Sequence, residues 1–104
     1  MNTIPEKDWK ALRRMQDAKL ALLCGEILAK AESISKQRKG NEHQSFLRLW
    51  DEVNKGNAEV AAIFDDIRRS NALAKVMAWK RRGLLNGDDV GAFSAETQQF
   101  LKRV

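Results

Sequence analysis

The sequence has one cysteine, one histidine, one proline and no tyrosine among its 104 residues. One cysteine cannot form an internal disulfide, and one cysteine with one histidine cannot supply the three or four ligands of a usual zinc site. No apolar run approaches the roughly 18 residues of a membrane span. No export signal opens the sequence, so we expect a cytoplasmic protein. Stability must then come from a hydrophobic core or from a partner, without disulfide, metal or cofactor.

Catalytic patterns are also absent. No glycine-rich phosphate loop occurs, and no serine or cysteine is placed by local spacing to use His43, which we expect at the surface. Cys24 lies within an apolar ladder, which predicts a buried and inert thiol. Asp65 and Asp66 are adjacent and would point about 100° apart on a helix, so they do not form a facing acid and base pair. The sequence predicts no enzyme and no catalytic residue.

The residues that are abundant favour helix. Alanine, leucine, lysine, arginine and glutamate lose least on entering a helix, and a hydrophobic fraction of 43% is too high for a disordered chain. We therefore expect an all-α fold with two long amphipathic helices and a small helical head. Residues 1–104 form a single domain, with a long-helix dimerisation region at 1–67 and the helical head at 68–104.

The first long helix is predicted between Thr3 and Lys39. Thr3 and Glu6 have the spacing of a capping box, with Pro5 in the first turn, and apolar residues then recur at steps of three and four. Gly40 suits the left-handed cap that follows a helix. Such a helix would be about 50 Å long at 1.5 Å per residue. The rest of so short a chain cannot cover it, which favours a second copy.

The second long helix is predicted to begin after Asn41, with Gln44 completing a capping pattern and with no break at Gly56. Trp50 is either plain core or a contact with another chain, where tryptophan contributes a large area at low entropic cost. The apolar positions of this helix alternate at spacings of four and three, the seam of a helix packed against another helix: Phe46, Trp50, Val53, Asn57, Val60, Phe64 and Ile67.

Short helices are predicted in the remainder of the chain. Ser70 and Asn71 either continue the second helix or cap a new one, whose end is marked by Gly83. A turn at Asn86 precedes one further short helix, and Ser94 opens the last.

Charge is segregated along the chain. Residues 1–40 have nine basic and five acidic side chains, a net +4, whereas residues 41–66 have a net −4 and residues 67–104 a net +5. The basic clusters suggest a nucleic-acid-associated protein as a second hypothesis. The acidic middle segment and the lack of a recognition-helix pattern make nucleic-acid binding a weaker hypothesis than protein binding. We expect the opposite charges of adjacent segments to neutralise each other either within the fold or across a dimer, and pairing between chains is a natural use of such a pattern.

Several short motifs follow one another in the second half of the chain. Their order and spacing resemble the fluorescence recovery protein family of cyanobacteria and its bacterial relatives, and Ala11, Leu12 and Arg13 extend the likeness weakly into the first helix. The motifs are Leu49 and Trp50, then Phe64, Asp65 and Asp66, then Arg68 and Ser70, then Gly83 and Leu84, and a small head ending near Phe93.

The resemblance implies an all-helical homodimer without catalysis or cofactor. Proteins of that family bind the C-terminal domain of the photoactivated orange carotenoid protein, detach it from the phycobilisome and speed its return to the resting form. In that family the tryptophan and a nearby histidine, aspartate and arginine lie in the dimer and partner-contact region. Trp50 matches, but Val53 and Asn54 occupy the following positions, and the next arginine is Arg68. The resemblance implies a carotenoid-binding protein as partner, and the departures favour a different protein with a related small α+β domain.

The leading hypothesis is thus a non-enzymatic homodimer that regulates a protein partner. A basic nucleic-acid-associated protein and a dimerisation module of a larger complex stay open as alternatives. The candidate dimer and partner interface comprises residues of the second-helix seam and of the charged segment after it: Phe46, Trp50, Val53, Asn54, Asn57, Val60, Phe64, Asp65, Asp66, Arg68 and Arg69.

Overall fold

Five helices and no strand make up residues 3–104, the part of the chain that the computed structural model describes. Two long helices form an antiparallel hairpin, and three short helices form a head at one end of it, so the molecule measures 54 × 24 × 23 Å. The predicted all-α class with two long helices is confirmed. The helices are α1 (Glu6–Lys36), α2 (Glu42–Phe64), α3 (Ala72–Arg81), α4 (Gly87–Gly91) and α5 (Ala95–Leu101).

The ends of α1 differ from the prediction. The N-cap residue is Pro5, and no side chain caps the helix, so the capping box predicted for Thr3 is wrong. Thr3 lies two residues before the N-cap, too far along the chain for the reciprocal bonds of that motif. At the other end α1 stops at Lys36, and Gly40 has the predicted left-handed conformation (φ 75°) but lies in the loop beyond the cap.

Helix α2 runs without a break through Gly56, as predicted, because the missing side chain is what allows α1 and α2 to approach there. A Cβ atom at Gly56 would lie 2.8 to 3.0 Å from three side-chain carbons of Ile27. The shortest of these contacts, to Cδ1 of Ile27, is closer than real Cβ atoms come, and the other two are at the tight limit, so a larger residue forces Ile27 or the helix backbone to shift. Gly56 therefore allows α1 and α2 to pack closely at this point.

We expect Gly56→Ala to destabilise the protein by about 1 kcal/mol, although alanine is the better helix former, because overpacking against Ile27 outweighs the propensity gain. Gly25 is the matched control: it lies inside α1 with nothing within 4 Å of an added Cβ. Gly25→Ala should stabilise by about 0.5 to 1 kcal/mol. Urea unfolding of both variants measures this difference, and equal gains from both would contradict the close packing at Gly56.

The head is built around Trp79, which is fully buried in α3. Its ring stacks on Phe64 with centroids 5.1 Å apart, and its Nε1–H donates to the carbonyl of Ile63 at 2.8 Å. That carbonyl lies in the last turn of α2, where no further helical amide can reach it. Lys75 donates to the neighbouring carbonyl of Ala62 at 2.7 Å. Helix α3 therefore both caps the end of α2 and closes the core beneath it.

A buried carboxylate ties the head to the start of α1. Asp8 is 0% exposed and accepts three hydrogen bonds: from the Ser94 amide at 2.6 Å, the Ser94 hydroxyl at 2.7 Å and the Thr97 hydroxyl at 2.5 Å. Ser94 is also the N-cap of α5, as predicted, and accepts from the Thr97 amide. The carboxylate of Asp8 thus positions the first turn of α5 against α1.

Asp8→Ala should destabilise the protein by about 2 to 4 kcal/mol, since it leaves the amide and two hydroxyls without their acceptor in a buried place. Thermal unfolding followed by circular dichroism measures the loss. Asp17→Ala is the control, because Asp17 is an exposed aspartate on the same helix and should change stability by no more than about 0.5 kcal/mol. Equal effects of the two substitutions would show that Asp8 does not hold the head.

Candidate functional site

Helix α2 has two seams with the same four-and-three spacing, one residue apart in the sequence and so about 100° apart around the helix. The first seam faces α1 and includes Ser45, Leu49 and Gly56, which are buried or half-buried. The second is the seam that the sequence predicts to pack on a helix. We call its first five residues the outer seam, because the first four are exposed and only the fifth is half-buried: Phe46, Trp50, Val53, Asn57 and Val60.

The outer seam presents large apolar side chains to solvent. Phe46 is 60%, Trp50 66% and Val53 46% exposed. Of the two readings of Trp50, the structure thus excludes plain core within one chain. Together with Phe46 and Val53, the two-thirds exposed Trp50 leaves a continuous apolar strip of α2 in contact with water.

Helix α1 extends this surface. An open depression of about 310 Å³ lies between the two helices, and Leu28 at its edge is 63% exposed. Cys24 is half-buried there, which corrects the prediction of a fully buried thiol. We call the outer seam and this depression together the apolar face. The depression is lined by Cys24, Ile27, Leu28, Val53, Asn57 and Val60.

The apolar face is large for so small a protein. Phe46 and Trp50 alone expose roughly 250 Å², since a whole aromatic side chain presents about 150 to 250 Å². With Leu28 and Val53 added, the face is of the order of the 300 to 600 Å² of the largest apolar patch on a typical monomer, and such a patch is often functional. A standard interface takes about 800 Å² from each partner, so these four side chains expose roughly half of the area that one partner contributes.

On the opposite side of the hairpin, charged side chains form ion pairs that link α1, α2 and the end of α3. Arg82 at the end of α3 contacts Glu26 of α1 at 3.1 Å and Glu59 of α2 at 2.9 Å. Lys30 and Glu52 pair at 3.1 Å further along the same side. The hairpin therefore has one charged face, whose side chains form ion pairs with one another, and one apolar face, whose large side chains are exposed to water.

The charged segment between α2 and α3 forms an ordered turn. Asp66 has a left-handed backbone (φ 56°), and the Asn71 side chain donates to its carbonyl at 2.8 Å. Hydrogen bonds from the Arg68 guanidinium hold the pKa of the Asp66 carboxyl below its ordinary value. Asp65 is exposed beside them as the C-cap residue of α2. This turn presents fixed charges next to the head rather than on the apolar face.

Arg69 leaves the turn toward α1. Its guanidinium lies 5.0 Å from the ring centre of Trp9 and pairs with Glu6 at 3.1 Å. Arg13 lies over the same ring at 5.7 Å. Arg69 therefore fastens the turn to the first turn of α1, a role that its position in the sequence did not reveal.

The predicted interface residues consequently fall into three groups. Five of them form the outer seam, and Asn54 lies on its flank, where the side-chain amide donates to the Trp50 carbonyl at 2.8 Å. Phe64 forms the second group, and its prediction as an interface residue is wrong. It is 5% exposed and stacks on Trp79, so it belongs to the core of the head. The third group is the charged turn: Asp65, Asp66, Arg68 and Arg69.

Sequence reasoning missed the contribution of α1. Leu28 and Cys24 belong to a run on α1 that repeats the four-and-three spacing of the outer seam, and this spacing was available in the sequence. The run consists of Asp17, Ala21, Cys24, Leu28, Ala31 and Ser35.

Three arginines of the basic clusters that suggested nucleic acid form ion pairs within the chain. Arg68, Arg69 and Arg82 each pair with a carboxylate of the same molecule. Arginines held in this way offer less to a phosphate backbone than free ones. His43 is exposed near the start of α2, as predicted.

Within residues 3–104, no helix is long and apolar enough to span a membrane. The same residues contain no group of three or more histidine, cysteine, aspartate or glutamate side chains that could hold a metal ion. Comparison of the chain with protein-family models, with curated proteins and with solved structures gives no match.

Proposed function

We propose that this protein is a non-catalytic homodimer that regulates another protein by binding it. The observation that carries the proposal is the outer seam, a regular helix-packing seam that its own chain leaves uncovered at Phe46, Trp50 and Val53. A helix with two such seams and one neighbour within the chain needs a second neighbour.

A second copy of the chain fits this need. Two hairpins that meet through their apolar faces form a four-helix bundle, in which each supplies the same surface to the other. The net charges of +4 for residues 1–40 and −4 for residues 41–66 allow favourable pairing between the copies. The self-paired charged faces then lie on the outside, in contact with water.

The partner is proposed from the resemblance to the fluorescence recovery protein family together with the charged turn. Dimerisation through the hairpin leaves the head and the turn around Asp65, Asp66 and Arg68 free to contact another protein. The fixed exposed charges there are suited to polar recognition. We propose a carotenoid-binding protein, or a small α+β domain related to one, as the protein that the dimer binds.

The partner is tested by adding the dimer to photoactivated orange carotenoid protein in the dark and following the return of its resting absorbance. We expect a faster return that saturates with added dimer. A variant in which Asp65 and Arg68 are both replaced by alanine should dimerise normally and lose the acceleration. No acceleration at a tenfold molar excess would exclude this partner and leave the dimer to be tested separately.

A further inference from the structure

Asn57 is the one residue of the outer seam that is not apolar. It lies between Val53 and Val60, and it lines the depression that Cys24 and Leu28 border on α1. The side chain is exposed and makes no hydrogen bond with any residue in the described range. In the single chain, its amide therefore has only water to bind.

Covering the apolar face removes that water. A primary amide that is buried without a partner loses its hydrogen bonds to solvent and regains none, which weakens any association that leaves it so. The neighbouring Val53, Val60 and Leu28 side chains offer neither donor nor acceptor. An arrangement of two copies is therefore favoured only if it brings a polar group of the second copy to Asn57.

We infer that Asn57 fixes the register and the number of copies that associate through the outer seam; this inference rests on the proposed homodimer. A single asparagine in an otherwise apolar seam lowers the affinity of association and excludes the arrangements in which it has no partner. The amide that a second copy brings to the same seam is its own Asn57. Asn54 lies on the flank of the seam, where its Nδ2 already donates to the Trp50 carbonyl within the chain.

The test replaces Asn57 by leucine, which has a similar size and needs no partner. We expect Asn57→Leu to tighten association about tenfold and to convert a single dimeric species into a mixture with trimers or tetramers. Native mass spectrometry counts the species, and sedimentation velocity over a dilution series gives the affinity. Asn54→Leu is the matched control, the same replacement one turn away on the flank of the seam, and it should remain a single dimer.

The outcomes distinguish the role of Asn57 from the homodimer on which it depends. A monomeric wild-type chain would overturn the homodimer, and the role of Asn57 with it. A dimeric wild type whose Asn57→Leu variant remains one dimeric species, with equal or weaker affinity, would overturn the role of Asn57 alone. A mixture of species from both Asn57→Leu and Asn54→Leu would also overturn it, because added leucine anywhere near the seam would then suffice.

Discussion

Trp50→Glu is expected to turn the dimer into a monomer at micromolar concentration while the helices stay folded. In the single chain this side chain is 66% exposed, so a carboxylate there changes the stability of the monomer by no more than about 0.5 kcal/mol. In the dimer the same carboxylate would be buried among Phe46 and Val53 without a cation. The dissociation constant should therefore rise by roughly 30-fold or more, the effect of losing at least about 2 kcal/mol at a central aromatic.

Sedimentation velocity over a range of concentrations measures this shift, and far-UV circular dichroism verifies that the helix content is retained. Leu22→Glu is the matched control. Leu22 is a 47% exposed leucine one turn from Glu26, whose side chain pairs with Arg82 on the opposite side of the hairpin. The control should self-associate like the wild type. If Trp50→Glu does so too, the outer seam is not the dimer interface.

Trp79→Ala is expected to have the largest effect on stability, a loss of about 3 to 5 kcal/mol. It removes a fully buried ring, its stacking on Phe64 and the donor that satisfies the Ile63 carbonyl. A domain of this size is stable by only about 5 to 15 kcal/mol in total, so much of the margin disappears. We expect the melting temperature to fall by at least about 12 °C, at 4 to 8 °C per kcal/mol.

A graded variant separates packing from hydrogen bonding at this position. Trp79→Phe keeps an aromatic ring beside Phe64 but leaves the carbonyl of Ile63 unsatisfied, so it should cost less, about 1 to 3 kcal/mol. Urea unfolding at one fixed protein concentration compares the two variants, which excludes changes that arise from dimer dissociation. A loss below 1 kcal/mol in Trp79→Ala would show that Trp79 does not organise the head.

The sequence predicts the helices of this protein well because their signals are local. Gly83 ends α3 with φ 82°, Ser94 caps α5, and Asn86 forms a capping box with Asp89 at the start of α4. Each signal depends on residues that lie within one turn of the helix end. Two predicted caps are wrong. Pro5 occupies the N-cap position that was predicted for Thr3, and Asn41 is the N-cap of α2, as predicted, but its side chain makes no capping hydrogen bond.

What the sequence did not show depends on residues that are distant in the chain. Asp8 meets Ser94 and Thr97 across almost the whole sequence, and no local pattern relates them. Trp79 was overlooked because it directly precedes the basic residues that end α3, although it fills the centre of the head.

The candidate site depends on which seam of α2 packs against α1, and the periodicity of the sequence does not determine this. Helix α2 has two seams of equal spacing, and α1 packs on the seam that contains Gly56, where the Ile27 side chain lies close to the backbone of α2. The large residues Phe46 and Trp50, which periodicity alone would place in a core, lie on the other seam and are exposed in the single chain.

Sedimentation equilibrium of the wild-type protein at tens of micromolar tests the dimer most directly. A homodimer joined through the apolar face has twice the 11.8 kDa mass of the chain. A single species of 11.8 kDa throughout that range would contradict it and would leave the outer seam without the second copy proposed here.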